Sequence, residues 1–471
     1  MTASDPCFLS VAEAAALIAA KRLSPVELTQ AYLTRIERFD GTLHAYVRVL
    51  PDEALAPARA AEAEIATGRY RGPLHGIPIG LKDIYDTAGL ATEGGSKLCL
   101  GRVPTADATT TRLLKQAGAI LLGKLTTWEF AIGGTAFDTP FPPARNPWNT
   151  DRDPAGSSSG SGAAVAAGLC AMAMGSDTGG SIRWPAAWCG LTGLKPTYGR
   201  VSRAGIMPLS FSLDHAGSLA WTVEDAAIVL QAIAGHDPLD PASADRAVPD
   251  YRAALASPDL KGVRLGIPRA MFERDCPASG AMGAAFKAAV GVLRGLGAAI
   301  AEIELPALAL YNATASLITR SEGFAIHEKT LRERPQDYGG LARDRLTIGA
   351  YVRASDMVQA MRRRLMLAAA TDAAMAGFDA ILLPTCPDPA PMLGELGPYF
   401  DNRRPMYMRP FNLTGQPALS LCNGFDDTGL PLSLQIVGRH FDEATVLRIG
   451  HAYERATPWP AAAVTTVPTR Q

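Results

Sequence analysis

Gly156-Ser157-Ser158-Ser159-Gly160-Ser161-Gly162, followed by Gly175-Ser176-Asp177-Thr178-Gly179-Gly180-Ser181-Ile182-Arg183, sets two serine-bearing, glycine-rich turns on either side of a short apolar segment. Glycines packed this densely around hydroxyls let backbone N–H groups approach a reacting carbonyl, as an oxyanion hole requires. Acyl chemistry is therefore the first reading. Ala163 to Leu169 reads as an alanine-rich helix leaving the first turn, and Ala171 to Met174 as a strand entering the second.

Outward from these turns, strand and helix signals alternate. Short apolar runs at Gly76 to Leu81 and Ala119 to Leu122 predict buried strands, with a helix over Thr110 to Ala117 between them. Further helices are predicted over Val223 to Ile233, Ala281 to Leu296 and Ser355 to Ala376, and late strands over Ala380 to Leu383, Ala418 to Leu421 and Leu432 to Val437. Ser10-Val11-Ala12-Glu13 and Ser24-Pro25-Val26-Glu27 have the S-x-x-E pattern of a capping box, which predicts two N-terminal helices. Ala234 to Tyr251, rich in Asp, Pro and Ala, reads as a surface loop. The alternation argues an α/β architecture, a central sheet covered by helices.

Composition limits the rest. The chain has 471 residues, 48% hydrophobic and 19% charged, with net charge −1. That suits a large buried core and gives no support to a nucleic-acid partner. No linker or low-complexity tract divides it, so residues 1–471 read as a single domain. Met1 to Ser10 lacks the layout of a signal peptide, and no apolar run is long enough to cross a membrane, so a cytoplasmic protein without a membrane partner is expected. Seven scattered cysteines without C-x-x-C spacing read as reduced thiols, not as disulfides or a metal site.

Two serine chemistries compete. Gly156 to Gly160 satisfies G-x-S-x-G, yet that elbow needs an apolar strand before it, and Asp151-Arg152-Asp153-Pro154-Ala155 is not one. None of His75, His215 or His440 has a distinctive context for a serine triad. Lysine serves as base only when burial lowers its reference pKa of about 10.4. Lys82 ends the apolar run Ile79-Gly80-Leu81, although the local pattern alone reads as a lysine paired with Asp83.

Lys82, the two turns, Pro185-Ala186-Ala187, Gly193 to Arg200 and Leu430 to Gly438 together resemble the amidase signature family, with the signature core at about residues 75–205. The resemblance implies the amidase signature fold, a large mixed β-sheet with helices on both faces. It implies Ser181 as nucleophile, Ser157 as a bridging serine on a cis peptide, and Lys82 as base. It also implies an oxyanion hole from the N–H groups of Thr178, Gly179, Gly180 and Ser181. Ser158 supports the site, and Asp177 and Arg183 pair to hold the loop. Neither metal nor organic cofactor is required. The implied activity is hydrolysis of a small-molecule carboxamide to carboxylate and amine or ammonia. Carbamate or urea hydrolysis shares the same core, as does glutamine hydrolysis within a tRNA-dependent amidotransferase complex. A homodimer is the assembly common in the family.

The chain departs from the family pattern at Ala155 and Ser159, where glycines are usual, and at Gly217-Ser218, Trp221 and Trp184. Trp184, with Phe137 of the Gly-Gly-Thr loop, is expected to line an acyl pocket for flat, uncharged groups, making glutamine and dicarboxylic half-amides poor substrates.

Overall fold

The computed structural model describes residues 5–257, 259–401 and 403–458; residues 1–4 of the segment read for a leader lie outside it. Eleven strands form one sheet: β1 (Tyr46–Val49), β2 (Pro78–Lys82), β3 (Ile120–Leu125), β4 (Met172–Ser176), β5 (Thr192–Lys195), β6 (Ala216–Ala220), β7 (Arg264–Ile267), β8 (Ala299–Glu302), β9 (Ala380–Pro384), β10 (Ala418–Phe425) and β11 (Pro431–Gly438). Their order is β1-β3-β2-β4-β6-β5-β10-β11-β9-β7-β8. β2 runs parallel to β3 and β4, β7 runs parallel to β8 and β9, and the remaining pairs are antiparallel. The fold is thus α/β with a mixed sheet, as the resemblance implied. Strands buried on both faces, such as β2 and β4, read as unbroken apolar runs without alternation.

Both N-terminal capping boxes are present, on Val11–Ala19 and Pro25–Leu43. Each reciprocal pair satisfies two otherwise orphaned backbone donors. The 234–251 segment contains no helix or strand. Helices Pro51–Ala66 and Leu308–Glu333 are not among those the sequence predicts. The first carries an internal proline at Pro57, and the second mixes polar and apolar residues without a clear stripe.

One boundary shift bears on function. The helix after the first serine turn runs Ser159–Ala166, four residues earlier than predicted at its start, and all eight of its residues are buried. The serines and glycines form its first turn because only small residues fit there. A Cβ on Gly160 would stand 2.3 Å from the Ala45 carbonyl oxygen and 2.5 Å from the Thr126 nitrogen.

Candidate active site

Parallel pairing brings the first two groups together. The register aligns Leu81 of β2 with Met174 of β4, so Lys82 and Ser176 end adjacent strands. Open α/β sheets place ligands outside the carboxyl ends of such strands. Lys82 is fully buried, and its Nζ lies 2.7 Å from Ser157 Oγ and 2.8 Å from Ser176 Oγ. Burial pushes its pKa down to about 7, with Asp214 and Asp177 partly opposing. The alternative partner is otherwise engaged: Asp83 stands 3.7 Å from the buried Lys124. The local reading of Lys82 as an Asp83 ion pair is thereby replaced. The Gly156–Ser157 peptide is cis. Gly156 also admits a close neighbour, since a Cβ there would stand 2.2 Å from Trp128 Cε2.

Ser158 joins the two turns. Its Oγ accepts from Ser176 N at 3.2 Å and lies 3.3 Å from Ser176 O. Asp177 and Arg183, both fully buried, pair at 3.0 Å through Nε and Nη2. Burial opposes ionisation of Asp177, yet Arg183, Lys195 and the Asn412 amide hold its carboxyl well below the usual range. The same carboxylate accepts from Gly180 N at 2.7 Å and Ile182 N at 3.2 Å. Here one expectation is corrected: the Gly180 N–H is committed to Asp177 and is not free for an oxyanion. The N–H groups of Thr178, Gly179 and Ser181 have no acceptor among the described residues. Gly180 is still needed, because its φ of +129° is one that side-chain-bearing residues rarely adopt.

Two cavities meet at Thr178. One of about 430 Å³ adjoins Ser176, Asp214 and His215. The other, about 110 Å³, is lined by Ser181, Gly156, Thr178 and Gly179. The smaller is the candidate reaction chamber, because it holds the exposed hydroxyl and the unengaged N–H groups together. At roughly 30 Å³ per water in the liquid, it admits only a small ligand. Sequence reasoning misses Ser176 and Asp214. The strand pairing of Lys82 with the end of β4 is the signal for Ser176, but single-strand patterns do not reveal it. His215 is held by backbone, its Nδ1 2.7 Å from Leu213 O.

Trp184 lines the smaller chamber, as expected, while Phe137 does not. Phe137 is 67% exposed and lies over Gly394, because its loop turns outward after Thr135, whose hydroxyl is tied to Asp153 at 2.6 Å. Phe400 and Trp128 take the place assigned to it, and Trp184 contacts both edge-on, with centroids 6.2 and 5.9 Å away. Trp184 also packs on Trp188 and Tyr399, at 4.9 and 5.3 Å. It is core and lining at once. Trp184→Ala is accordingly expected to lower stability by about 3–5 kcal/mol, the scale for deleting a large buried aromatic, as read by denaturant unfolding; a loss below about 1 kcal/mol would contradict the packing described.

Ala155 adopts a φ of +64° where a glycine is usual. The left-handed conformation costs an alanine roughly 1–2 kcal/mol. Its fully buried methyl group returns about 0.8 kcal/mol, and the lower unfolded-state freedom of alanine offsets most of the remainder.

Comparison with known proteins agrees with this geometry. The Amidase family pattern matches residues 27–447. The glutamyl-tRNA(Gln) amidotransferase chain of this kind from Chloroflexus aggregans is 41% identical, over 96% of this chain and 97% of that protein. Among solved structures, a chain from a vestigial protein complex bearing on the origins of an s-triazine catabolic enzyme superposes with TM-score 0.89 at 34% identity, covering 95% of this chain and 98% of its own. The native peptide amidase of Stenotrophomonas maltophilia superposes with TM-score 0.84 at 34% identity, covering 96% and 97%. Among the described residues no helix is long and apolar enough to cross a membrane, and no group of three or more His, Cys, Asp or Glu is placed to hold a metal ion.

Proposed function

The chain belongs to the amidase family, and we propose that it hydrolyses a small carboxamide through an acyl-enzyme formed on Ser181, with Ser157 as proton bridge and Lys82 as base. The observation that carries this reading is the fully buried Lys82 amine 2.7 Å from Ser157 Oγ, behind a chamber into which Ser181 opens. A lysine whose pKa is lowered to about 7 is substantially neutral at neutral pH and accepts a proton.

In this mechanism Lys82 takes a proton from Ser157 as Ser157 takes one from Ser181. The freed Ser181 oxygen bonds to the amide carbon, and the N–H groups of Thr178, Gly179 and Ser181 stabilise the oxyanion. As the C–N bond breaks, the proton returns through Ser157 to the departing nitrogen. Water repeats the sequence on the ester: it loses a proton to the relay, attacks the acyl carbon and releases the carboxylic acid. Carbamates and ureas present a similarly planar carbonyl to the same groups.

Hydrolysis of aryl amides, aliphatic amides, carbamates and glutamine by the purified chain tests this reading. Turnover of an amide, with a fluorophosphonate adduct mapping to Ser181, is expected; labelling at another serine would overturn the assignment. A second reading, as the glutamine-hydrolysing component of an amidotransferase, is favoured by the relatives named as such at 41% identity. Under that reading the chain alone is poorly active and a partner protein restores glutamine hydrolysis. Under the first it is active alone, as a homodimer by sedimentation.

A further inference from the structure

The acyl side of the chamber carries charge that the sequence did not reveal. Arg320 on the helix Leu308–Glu333, Arg345 on Gly340–Thr347 and Arg409 at the start of Arg409–Leu413 all line it, and none of the lining residues is Asp or Glu. Arg345 lies over the Phe400 ring, its guanidinium carbon 3.5 Å from the centroid. Its Nη1 is buried without an acceptor among the described residues, as are the indole Nε1 groups of Trp128 and Trp184 in the same lining. Arg409 donates to Asn312 and Ser316, both at 3.3 Å and both uncharged. Glu322, two residues beyond Arg320, is turned to the hydroxyls of Ser210 and Ser212. Burial lowers the pKa of Arg345 to about 10, and the charges of Arg409 and Arg320 add to the effect.

A structural role accounts poorly for this arrangement. Buried or half-buried guanidiniums are ordinarily paired with carboxylates, since like charges repel and an isolated charge is costly to desolvate. Here like charges converge on a chamber otherwise walled by Trp128, Trp184, Phe400 and Leu209. An anion in the chamber would complement them, and Ser181 defines where its amide must lie.

We infer that the substrate is an amide bearing a carboxylate on its acyl part and no ammonium group, the class of dicarboxylic half-amides. The inference rests on the hydrolase reading above and reverses the expectation of a flat, uncharged acyl group. An aliphatic carboxylate accepts from the guanidinium fork in a bidentate manner. Glutamine carries an α-ammonium as well, and the lining offers it three cations and no carboxylate.

Three five-carbon amides separate the charges: glutaramate, pentanamide with methyl in place of carboxylate, and glutamine with the added ammonium. Each is titrated by calorimetry into the Ser181→Ala protein, where turnover does not obscure binding. Glutaramate is expected to bind at least tenfold more tightly than either of the others. Arg345→Gln and Arg320→Gln, each in that background, are expected to shrink the glutaramate-to-pentanamide ratio at least fivefold; the ratio, taken within one protein, cancels a general loss of affinity. Equal or undetectable binding of all three, a preference for glutamine, or a ratio unmoved by both substitutions overturns the inference. Failure of the hydrolase reading shows separately, as wild-type protein whose Ser181 resists fluorophosphonate.

Discussion

Ser181→Ala is expected to abolish amide hydrolysis, with a loss on the order of 10⁴-fold or more, the scale for removing a nucleophile that works as one unit with its base. The fold should persist. Ser181 is partly exposed to the chamber, and its loop is held by other groups: Asp177 accepts from Gly180 N and Ile182 N and pairs with Arg183, which in turn donates to Gln435 at 2.7 Å and Asn412 at 2.6 Å. The thermal midpoint of the variant should therefore match that of the parent within a few degrees. Retained turnover would transfer the nucleophile to Ser157 or Ser158. Those hydroxyls are fully buried, and Ser157 already contacts Lys82, so neither is placed to meet a substrate.

The features legible in the sequence are those encoded by short-range chemistry. Capping boxes at Ser10 and Ser24, apolar runs at β2 and β3, and the glycine-serine turns are local patterns, and the structure contains each of them. The joint occurrence of Lys82 with both turns singles it out as a base, whereas its immediate neighbours suggest a pair with Asp83. The structure gives Asp83 to Lys124 instead. That exchange depends on strand register between β2 and β3, which places Leu81 opposite Lys124 and is not visible in either strand alone.

The chemistry of the pocket wall is not legible in the same way. Arg320, Arg345 and Arg409 come from three helices, and each alone resembles an ordinary solvated arginine on a helix. Only tertiary packing makes them neighbours. Trp184 can be placed from sequence because it follows Ser181 by about one helical turn; Phe137 has only its proximity to a glycine-rich loop to place it, and the loop turns it outward. The commitment of Gly180 N–H to Asp177 is equally hidden. A backbone donor's partner is set by φ and ψ, and a sequence reports only that glycine permits them.

Lys82→Ala separates the two proton tasks assigned to the relay. Amide hydrolysis needs a proton removed from Ser181 and one delivered to a poor leaving nitrogen; activated esters need little of the second. A positioned general acid-base contributes about 10²–10⁴-fold. The variant is expected to lose amide hydrolysis by about that amount or more and to lose markedly less on a nitrophenyl ester of the same acyl group. Equal losses would remove Lys82 from leaving-group protonation. The pH dependence follows from the same amine. Burial penalises the ammonium, bringing the Lys82 pKa to about 7, and the Coulombic pull of Asp214 and Asp177 keeps it from falling further. Because the base must be neutral, kcat/KM for the parent should be low in acid, rise through about pH 7 and level off above it. Lys82→Ala should abolish that limb on the ester substrate. A limb that survives the substitution would belong to another group, and the buried carboxyl of Asp214, raised by desolvation and bonded to Thr178 Oγ1 at 2.5 Å, would be the next to test.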